Sequence, residues 1–483
     1  MRKAKIICTL GPATSTPDVL VRLLDAGMDV ARLNFSHGTH ESHAQTITAV
    51  RQTGLRLGRN VAILQDLQGP RIRLGHLPSD GIRIDAGQRI RLRGGMLRSG
   101  GQHGFQSGRS IPDMAVPVTY PQLARDAKPG ARVLIDDGLV ELRVLSIDAS
   151  DLLCAVVSGG VLRSHKGMNL PGTVVSAPAV TDKDREDLAF GIEQGVDYVA
   201  LSFVRGPEDI ETARTAIRDR GGSQPIIAKI ERAEAIEKLD SVIDAADGVM
   251  VARGDLGVEM GPETVPILQK RIIEAANRVG RVVITATQML ESMTHHPSPT
   301  RAEASDVANA VFDGTDAVML SGETAVGEYP IESVAVMNRL VQAAEEAAPL
   351  RFQRETDRVS LADRISEAIC RAASSSAAVI QARAIVALTE SGRTARLLSK
   401  ERPRVPIVAL TPTETVRRRL AMLWGVQAGC FPVMEQNDDR VRRIDAYLKM
   451  HGLAEAGDRI VMVSGVMAGQ PGGTNVMKLY EVG

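Results

Sequence analysis

Residues Pro225–Asp255 read PIIAKIERAEAIEKLDSVIDAADGVMVARGD, a pattern of two buried strands joined by a helix. The first strand, Pro225 to Glu231, is apolar except for Lys229 and Glu231. Successive strand side chains alternate faces, so these two point the same way from a strand otherwise fit for a core. The second strand, Gly248–Ala252, ends in Arg253-Gly254-Asp255. An ammonium and two carboxylates at neighbouring strand ends suit a divalent cation and an anion held together. The plain alternative is a carboxylate paired with Lys229 to stabilise the core, and spacing alone leaves both open. Arg253-Gly254-Asp255 also matches an adhesion tripeptide, a chance match at the end of an apolar strand.

The same strand–helix unit recurs on both sides of this stretch. Upstream strands are expected at Ala4–Cys8, Met28–Asn34, Val61–Asp66 and Tyr198–Phe203, and downstream ones at Val282–Thr287 and Ala317–Leu320. Eight strands, each with a helix near it, predict a (β/α)8 TIM barrel within the α/β class. The rhythm breaks between Gly69 and Gly172, where short runs such as Ile82–Ile84, Arg89–Leu92, Arg132–Ile135, Leu139–Val144 and Leu152–Val157 alternate with Gly and Pro turns. That pattern predicts an inserted all-β lid domain built as a small barrel. Its Gly- and Arg-rich stretch Arg93–Ser110 reads as a solvated loop. Ala347–Val359 is polar and reads as a linker. Strands at Ala384–Leu388, Pro406–Leu410, Val426–Phe431 and Arg459–Val463, with helices between, predict a C-terminal doubly wound α/β domain. The expected division is therefore 1–69 and 173–346 for the barrel, 70–172 for the insert, 347–360 for the linker and 361–483 for the last domain.

Composition narrows the function. Lys+Arg and Asp+Glu each total 58 of 483 residues, so no general basic character recruits nucleic acid or anionic lipid. Aromatics at 3% argue against base-stacking surfaces. Cys8, Cys154, Cys370 and Cys430 are far apart, the pattern of a reduced cytoplasmic protein. The apolar run in MRKAKIICTLGP is too short for a signal peptide, and no run of about 18 apolar residues is present to span a membrane.

In such barrels the active site lies at the C-terminal ends of the strands. Arg32, Asn34 and Ser36 follow strand two, Asp66 strand three, Lys229 and Glu231 strand five, and Asp255 strand six. Thr287 ends strand seven, and Ser321 and Glu323 follow strand eight. Glu231 and Asp255 offer hard oxygens of the kind Mg²⁺ takes. Lys229 is a compact charge able to neutralise a transferring phosphoryl group, and its alternative is a structural pair with Glu231. Gly254 lets the backbone approach a ligand closely. Arg32 and Arg73 are candidate anion clamps. Lys166 lies where the insert returns to the barrel, placed to swing over the site with a lid.

These residues fall within longer runs: CTLGPAT (Cys8–Thr14), AGMDVARLNFSHG (Ala26–Gly38), DDGL (Asp136–Leu139), HKGMNLPG (His165–Gly172), AKIER (Ala228–Arg232), GVMVARGDLGVE (Gly248–Glu259), TATQMLESM (Thr285–Met293), the stretch Pro299–Pro330, and SGRTAR (Ser391–Arg396). With them the chain closely resembles the pyruvate kinase family over almost its whole length. The resemblance implies transfer of the phosphoryl group of phosphoenolpyruvate to ADP, giving pyruvate and ATP, usually in a homotetramer. It implies that Lys229 stabilises the transition state and that Glu231 and Asp255 bind Mg²⁺, with Mn²⁺ as a substitute. Gly254, Asp255 and Thr287 would hold the substrate, with Arg32 on its phosphate. Asn34, His37, Arg73 and Lys166 would contact the nucleotide. Asn34, Ser36, Asp66 and Leu67 correspond to a monovalent-cation position. Thr287 or Ser321, acting through water, is the expected source of the proton that completes pyruvate.

The sequence departs from the family where D-T-K-G-P-E-I-R stands as Asp66-Leu67-Gln68-Gly69-Pro70-Arg71-Ile72-Arg73. Members with Glu at the Arg71 position generally need K⁺ and members with Lys there do not, so the fixed charge of Arg71 predicts K⁺-independent activity. In the C-terminal domain Thr389, Ser391, Gly392, Arg393 and Thr394 open a helix as a phosphate nest, the alternative being a capped helix with no ligand. By resemblance this is a pocket for a sugar-phosphate or nucleotide effector, although Glu390 stands where relatives often carry Lys or Gln. The Gly-rich tail Gly469–Asn475 is placed to fold over it. Two other classes share parts of this pattern: a barrel lyase handling a pyruvate enolate on Mg²⁺, and an inactive sensor of a sugar phosphate.

Overall fold

The computed structural model describes residues 2–95, 115–148, 150–347, 361–432, 437–465 and 473–483. Most of the expected loop Arg93–Ser110, nearly all of the linker and most of the tail Gly469–Asn475 lie outside the described residues. Eight parallel strands close into a ring: β1 (Lys5–Thr9), β2 (Val30–Asn34), β3 (Ala62–Asp66), β4 (Tyr198–Leu201), β5 (Ile226–Ile230), β6 (Gly248–Ala252), β7 (Val282–Ala286) and β8 (Ala317–Leu320). Each pairs with its sequence neighbours, and β1 closes against β8. Both faces of these strands are buried, as expected where helices cover a parallel sheet, and Val and Ile suit that pleated, enclosed surface.

Alternation sorts the strand residues. Ile227 packs in the barrel interior with Leu64, Ala200 and Met250, whereas Ile226, Ala228 and Ile230 pack outward with helix residues such as Ile210 and Val242. Counting in twos from Ile227 aims Lys229 and Glu231 at the barrel axis. The same count from Ile7, Val30, Leu64 and Ala200 aims Thr9, Arg32, Asp66 and Ser202 there too. An apolar layer is thus capped by a polar one at the C-terminal rim.

Several helices begin where a Thr supplies a reciprocal cap. Thr39, Thr181 and Thr300 each accept from the backbone three residues on, and that residue's side chain answers back. The expected helix between β5 and β6 is two pieces, Ala233–Glu237 and Leu239–Ala245, broken at Lys238. A helix absent from the sequence reading, Arg253–Met260, follows β6 directly, and the next helix is Val265–Arg278. Gly254 and Gly257 make its local propensity poor, so packing of buried Leu256 and Glu259 carries it.

The insert is β-rich but is not one closed sheet. Arg132–Ile135, Val140–Asp148, Asp151–Ser158, Arg89–Gly94, Ala115–Val118 and Met168–Asn169 form a six-stranded sheet, and Ile82–Ile84 pairs separately with Gly160–Leu162. Both share one core around Leu74, Leu92, Leu142 and Leu162. In the C-terminal domain, strands Ala384–Leu388, Ile407–Thr411, Val426–Cys430 and Arg459–Gly465 run parallel, and Thr474–Glu481 adds an antiparallel edge the sequence did not suggest. This domain covers the barrel floor. Asp316, at the start of β8, lies 2.5 Å from Lys400 and 2.8 Å from Arg402, and the Lys5 ammonium donates to the Val426 carbonyl at 2.8 Å.

Candidate active site

Charge alternates across the polar layer. Arg32 Nε donates to Asp66 Oδ2 at 2.7 Å and its Nη1 to Thr9 Oγ1 at 2.9 Å. Lys229 Nζ lies 3.3 Å from Asp66 Oδ1 and 3.0 Å from Glu231 Oε1, and donates to Ser202 Oγ at 2.8 Å. Asp66 and Glu231 are 1% exposed. Burial pushes the Asp66 carboxyl up, but Lys229 and Arg32 together overcome it and hold the group below the ordinary carboxylate range. Burial likewise pulls Lys229 down, and Asp66 first, then Glu231, more than restore it, so the amine stays charged. The expected pair of Lys229 with Glu231 is present, as one arm of a larger array centred on Lys229. Thr9 and Ser202 escaped the sequence reading; the signal was available, since both continue the inward count one step past an apolar strand residue.

Glu231 and Asp255 form the acidic end. Phe203 N–H donates to Glu231 Oε2 at 2.8 Å. Glu231 Oε1 is buried and, although it faces Lys229, receives no well-aligned hydrogen bond. Burial above all, with the neighbouring Asp255 charge, raises the Glu231 carboxyl against the opposing pull of Lys229. A buried oxygen short of a donor, next to a second half-buried carboxylate, is what a divalent cation would satisfy. The residues fit such an ion. Among the described residues no cluster of three or more His, Cys, Asp and Glu could hold a metal alone, so the remaining ligands would have to be substrate oxygens and water.

Register brings β6 and β7 level, with Ala252 opposite Ala286. The next residues, Arg253 and Thr287, therefore meet at the rim. Thr287 Oγ1 accepts from Gly254 N–H at 2.9 Å and donates to the Ala286 carbonyl at 2.7 Å. Thr287 and Gln288 have φ of 64° and 53°, and Phe203 has 57°. Left-handed geometry costs a non-glycine residue roughly 1–2 kcal/mol. Of the eight such residues in the described chain, these three border the rim, Asp136 and Asp137 lie in the turn between insert strands Arg132–Ile135 and Val140–Asp148, and His165 lies in the returning arm. Strain concentrated in one place marks a functional site. Ser321 Oγ is buried without a partner, while its N–H is held by Glu323 Oε2 at 2.6 Å. Arg253 is 9% exposed with its guanidinium turned inward, so Arg253-Gly254-Asp255 is not displayed as an adhesion loop.

The insert brings cations to the other side of the mouth. Its two arms run side by side, with Arg73 bridged to Gly167 and Leu74 N–H donating to the Lys166 carbonyl at 2.9 Å. Arg73 Nη1 donates to the His165 carbonyl at 2.9 Å, and Lys166 pairs with Asp136 at 2.8 Å. A Cβ at Gly167 would touch the Arg71 guanidinium at 3.5 Å, so Arg71 lies along the returning arm. Burial, then Arg73, Arg71 and Arg32, push the His37 imidazole below its usual value. That field suits an anion with several phosphates.

Other expected groups are already engaged. Asn34 Oδ1 accepts from Ser36 N–H at 3.1 Å, and the Leu67 carbonyl accepts from Ser202 Oγ at 2.7 Å. In the C-terminal domain Gly392, at φ 82°, precedes helix Arg393–Lys400, and its N–H is taken by Thr389 Oγ1 at 3.0 Å. Thr394 and Thr474 hydroxyls lie 2.7 Å apart, and Ser391 is exposed.

Two family models match the chain: "Pyruvate kinase, barrel domain" over residues 1–334 and "Pyruvate kinase, alpha/beta domain" over 367–480. Among curated relatives, pyruvate kinase of Geobacillus stearothermophilus is 44% identical, across all of this chain and 80% of the relative. That of Mycobacterium tuberculosis is 44% identical across all of this chain and 99% of the relative. A crystal structure of a pyruvate kinase from Cryptosporidium parvum superposes with a TM-score of 0.87 at 37% identity, covering 100% of this chain and 96% of that one. By its motifs, its barrel and both matched domains, the chain belongs to the pyruvate kinase family.

Proposed function

We propose that this protein transfers the phosphoryl group of phosphoenolpyruvate to ADP in a Mg²⁺-dependent reaction. The observation that carries this reading is Lys229, held charged on the barrel axis between Asp66 and Glu231, with Asp255 alongside. Glu231 and Asp255 would hold the Mg²⁺, which when bound supplies charge stabilisation to the enolate oxygen and the phosphoryl group; Mn²⁺ suits the same oxygens. Arg32 binds the phosphate of phosphoenolpyruvate. Gly254, Asp255 and Thr287 orient the rest of the substrate. Arg73, His37, Lys166 and Asn34 face the nucleotide. A β-phosphate oxygen of ADP attacks phosphorus, the bond to the enol oxygen breaks, and Lys229 neutralises charge spreading over the transferred oxygens. Residues 70–172 act as a lid that excludes water from the phosphoryl donor. The buried, unpartnered Ser321 hydroxyl and Thr287 are the groups that pass a proton, through water, to the carbon of the enolate.

K⁺ is not required in this reading. Asn34 Oδ1 and the Leu67 carbonyl are engaged within the protein, both Asp66 oxygens face cations, and Arg71 brings a fixed charge. The Thr389–Thr394 segment takes a phosphorylated metabolite, with Ser391 and Arg393 as its contacts. The chain assembles as a homotetramer, which would cover Ile267, 70% exposed on helix Val265–Arg278, and it works in the cytoplasm. No helix of the described residues is long and apolar enough to cross a membrane. A coupled assay of pyruvate release, with ADP and Mg²⁺ each omitted in turn, tests the reading. Dependence on both is expected; release without ADP would make the protein a lyase or phosphatase instead, and no release would favour a sensor.

A further inference from the structure

Arg253 has no assigned part in the chemistry, yet its guanidinium is the most heavily engaged group beside it. Nε donates to the carbonyls of Ala286 at 3.2 Å and Thr287 at 3.3 Å. Nη2 donates to the carbonyls of Thr287 at 2.7 Å and Gln288 at 3.2 Å, and to Met289 Sδ at 2.9 Å. Nη1 is held by Asp306 at 2.6–2.7 Å and by Gln269 Oε1 at 3.3 Å. One side chain on the helix after β6 therefore grips four consecutive residues, from the last of β7 onward. Thr287 and Gln288 are the two left-handed residues of that turn. Their carbonyls leave the sheet ladder there, and the planar five-donor fork replaces the lost partners. The result is the placement of Thr287 Oγ1 against Gly254 N–H. Asp306, on the helix whose start is set by the Thr300 cap, fixes the fork from behind.

We infer that Arg253 is a positioning residue of the reaction: by gripping the turn 286–289 it holds the Thr287 hydroxyl in register with Gly254 and Asp255, so that both strand ends meet the substrate together. This rests on the phosphoryl-transfer reading above. Lysine cannot substitute, because one ammonium has three donors and no fork. All of the hydrogen bonds of the Arg253 guanidinium go to residues 286–289, Asp306 and Gln269, and none goes to Arg73 or Lys166.

The test compares the full-length wild type, Arg253→Ala, Arg253→Lys, Thr287→Ala and the Arg253→Ala/Thr287→Ala double variant in steady-state turnover. Misplacing a substrate-orienting group costs on the order of 100-fold. Arg253→Ala is expected to lose about that much in kcat/KM for phosphoenolpyruvate, with the KM for ADP unchanged. Added guanidinium should recover part of the loss. The double variant should fall within about twofold of Thr287→Ala, because the two act through one contact. Should Arg253→Ala not fold, Arg253→Lys carries the same pattern, with a melting temperature near that of the wild type. Fully additive losses, or KM values for both substrates rising in step, overturn the inference while leaving an active wild type. A wild type that releases no pyruvate from phosphoenolpyruvate and ADP overturns the reading beneath it.

Discussion

Asp66→Asn offers the most informative perturbation of the polar layer. The carboxylate is 1% exposed and bridges two cations, Arg32 at 2.7 Å and Lys229 at 3.3 Å. The amide has nearly the same shape but no charge, so both cations lose their shared counter-ion while Glu231 keeps only Lys229. Removing one partner of a buried charge pair costs about 3–5 kcal/mol, most of it from the charges left behind. Thermal and urea denaturation followed by circular dichroism should show a loss of that size at neutral pH. The loss has a pH signature. The native Asp66 carboxyl lies below the ordinary aspartate value, so its stabilisation is complete above that ordinary value and disappears as pH falls through the lower native one. Wild type and variant should therefore converge in strong acid. Activity carries a second signature. Asp66 is the largest of the three charges that raise Lys229 against burial, ahead of Glu231 and Asp255. Without it the lysine loses its proton at lower pH, and the alkaline limb of kcat should move down. A variant as stable as the wild type at pH 7, with an unmoved alkaline limb, would refute the claim that Asp66 holds the layer together.

Other consequences are open to simpler assays. Replacing K⁺ with a bulky organic cation should leave turnover essentially unchanged, and a collapse would show that Arg71 does not replace the monovalent ion. His37 is held below its usual value, so it is neutral at pH 7 and gains charge only in more acidic solution. The ratio of the ADP KM of His37→Asn to that of wild type should accordingly grow as pH is lowered from 7 toward 5; a flat ratio would remove His37 from the nucleotide site.

The barrel and most of its rim were legible in the sequence because two periodicities coincide. Apolar strand runs recur with helices between them, and the inward residues of each strand become polar one step past the apolar layer. Position at the strand ends found Arg32 and Asp66, and the count found Lys229 and Glu231. Carried through every strand, it would also have found Thr9 and Ser202, whose single hydroxyls are common residues without a motif. Arg253 was passed over because its role depends on register between β6 and β7 and on a left-handed turn, and neither is written in local composition. The helix Arg253–Met260 was hidden by two glycines whose cost is met by tertiary packing. The lid was readable as β but not as two sheets, since strand pairing across turns is set by long-range contacts. The last edge strand, Thr474–Glu481, alternates only weakly and follows a Gly-rich stretch, so it read as tail.

The central claim is that Lys229 stabilises charge on the phosphoryl group in flight, beyond any structural pairing with Glu231. Lys229→Met keeps most of the unbranched side chain and removes its charge and its donors. Pyruvate formation from phosphoenolpyruvate, ADP and Mg²⁺ by this variant should fall by about 10³-fold or more, with an unchanged circular dichroism spectrum and retained binding of Mn²⁺ at Glu231 and Asp255. Transfer at close to the wild-type rate by the folded, Mn²⁺-binding variant would contradict the account.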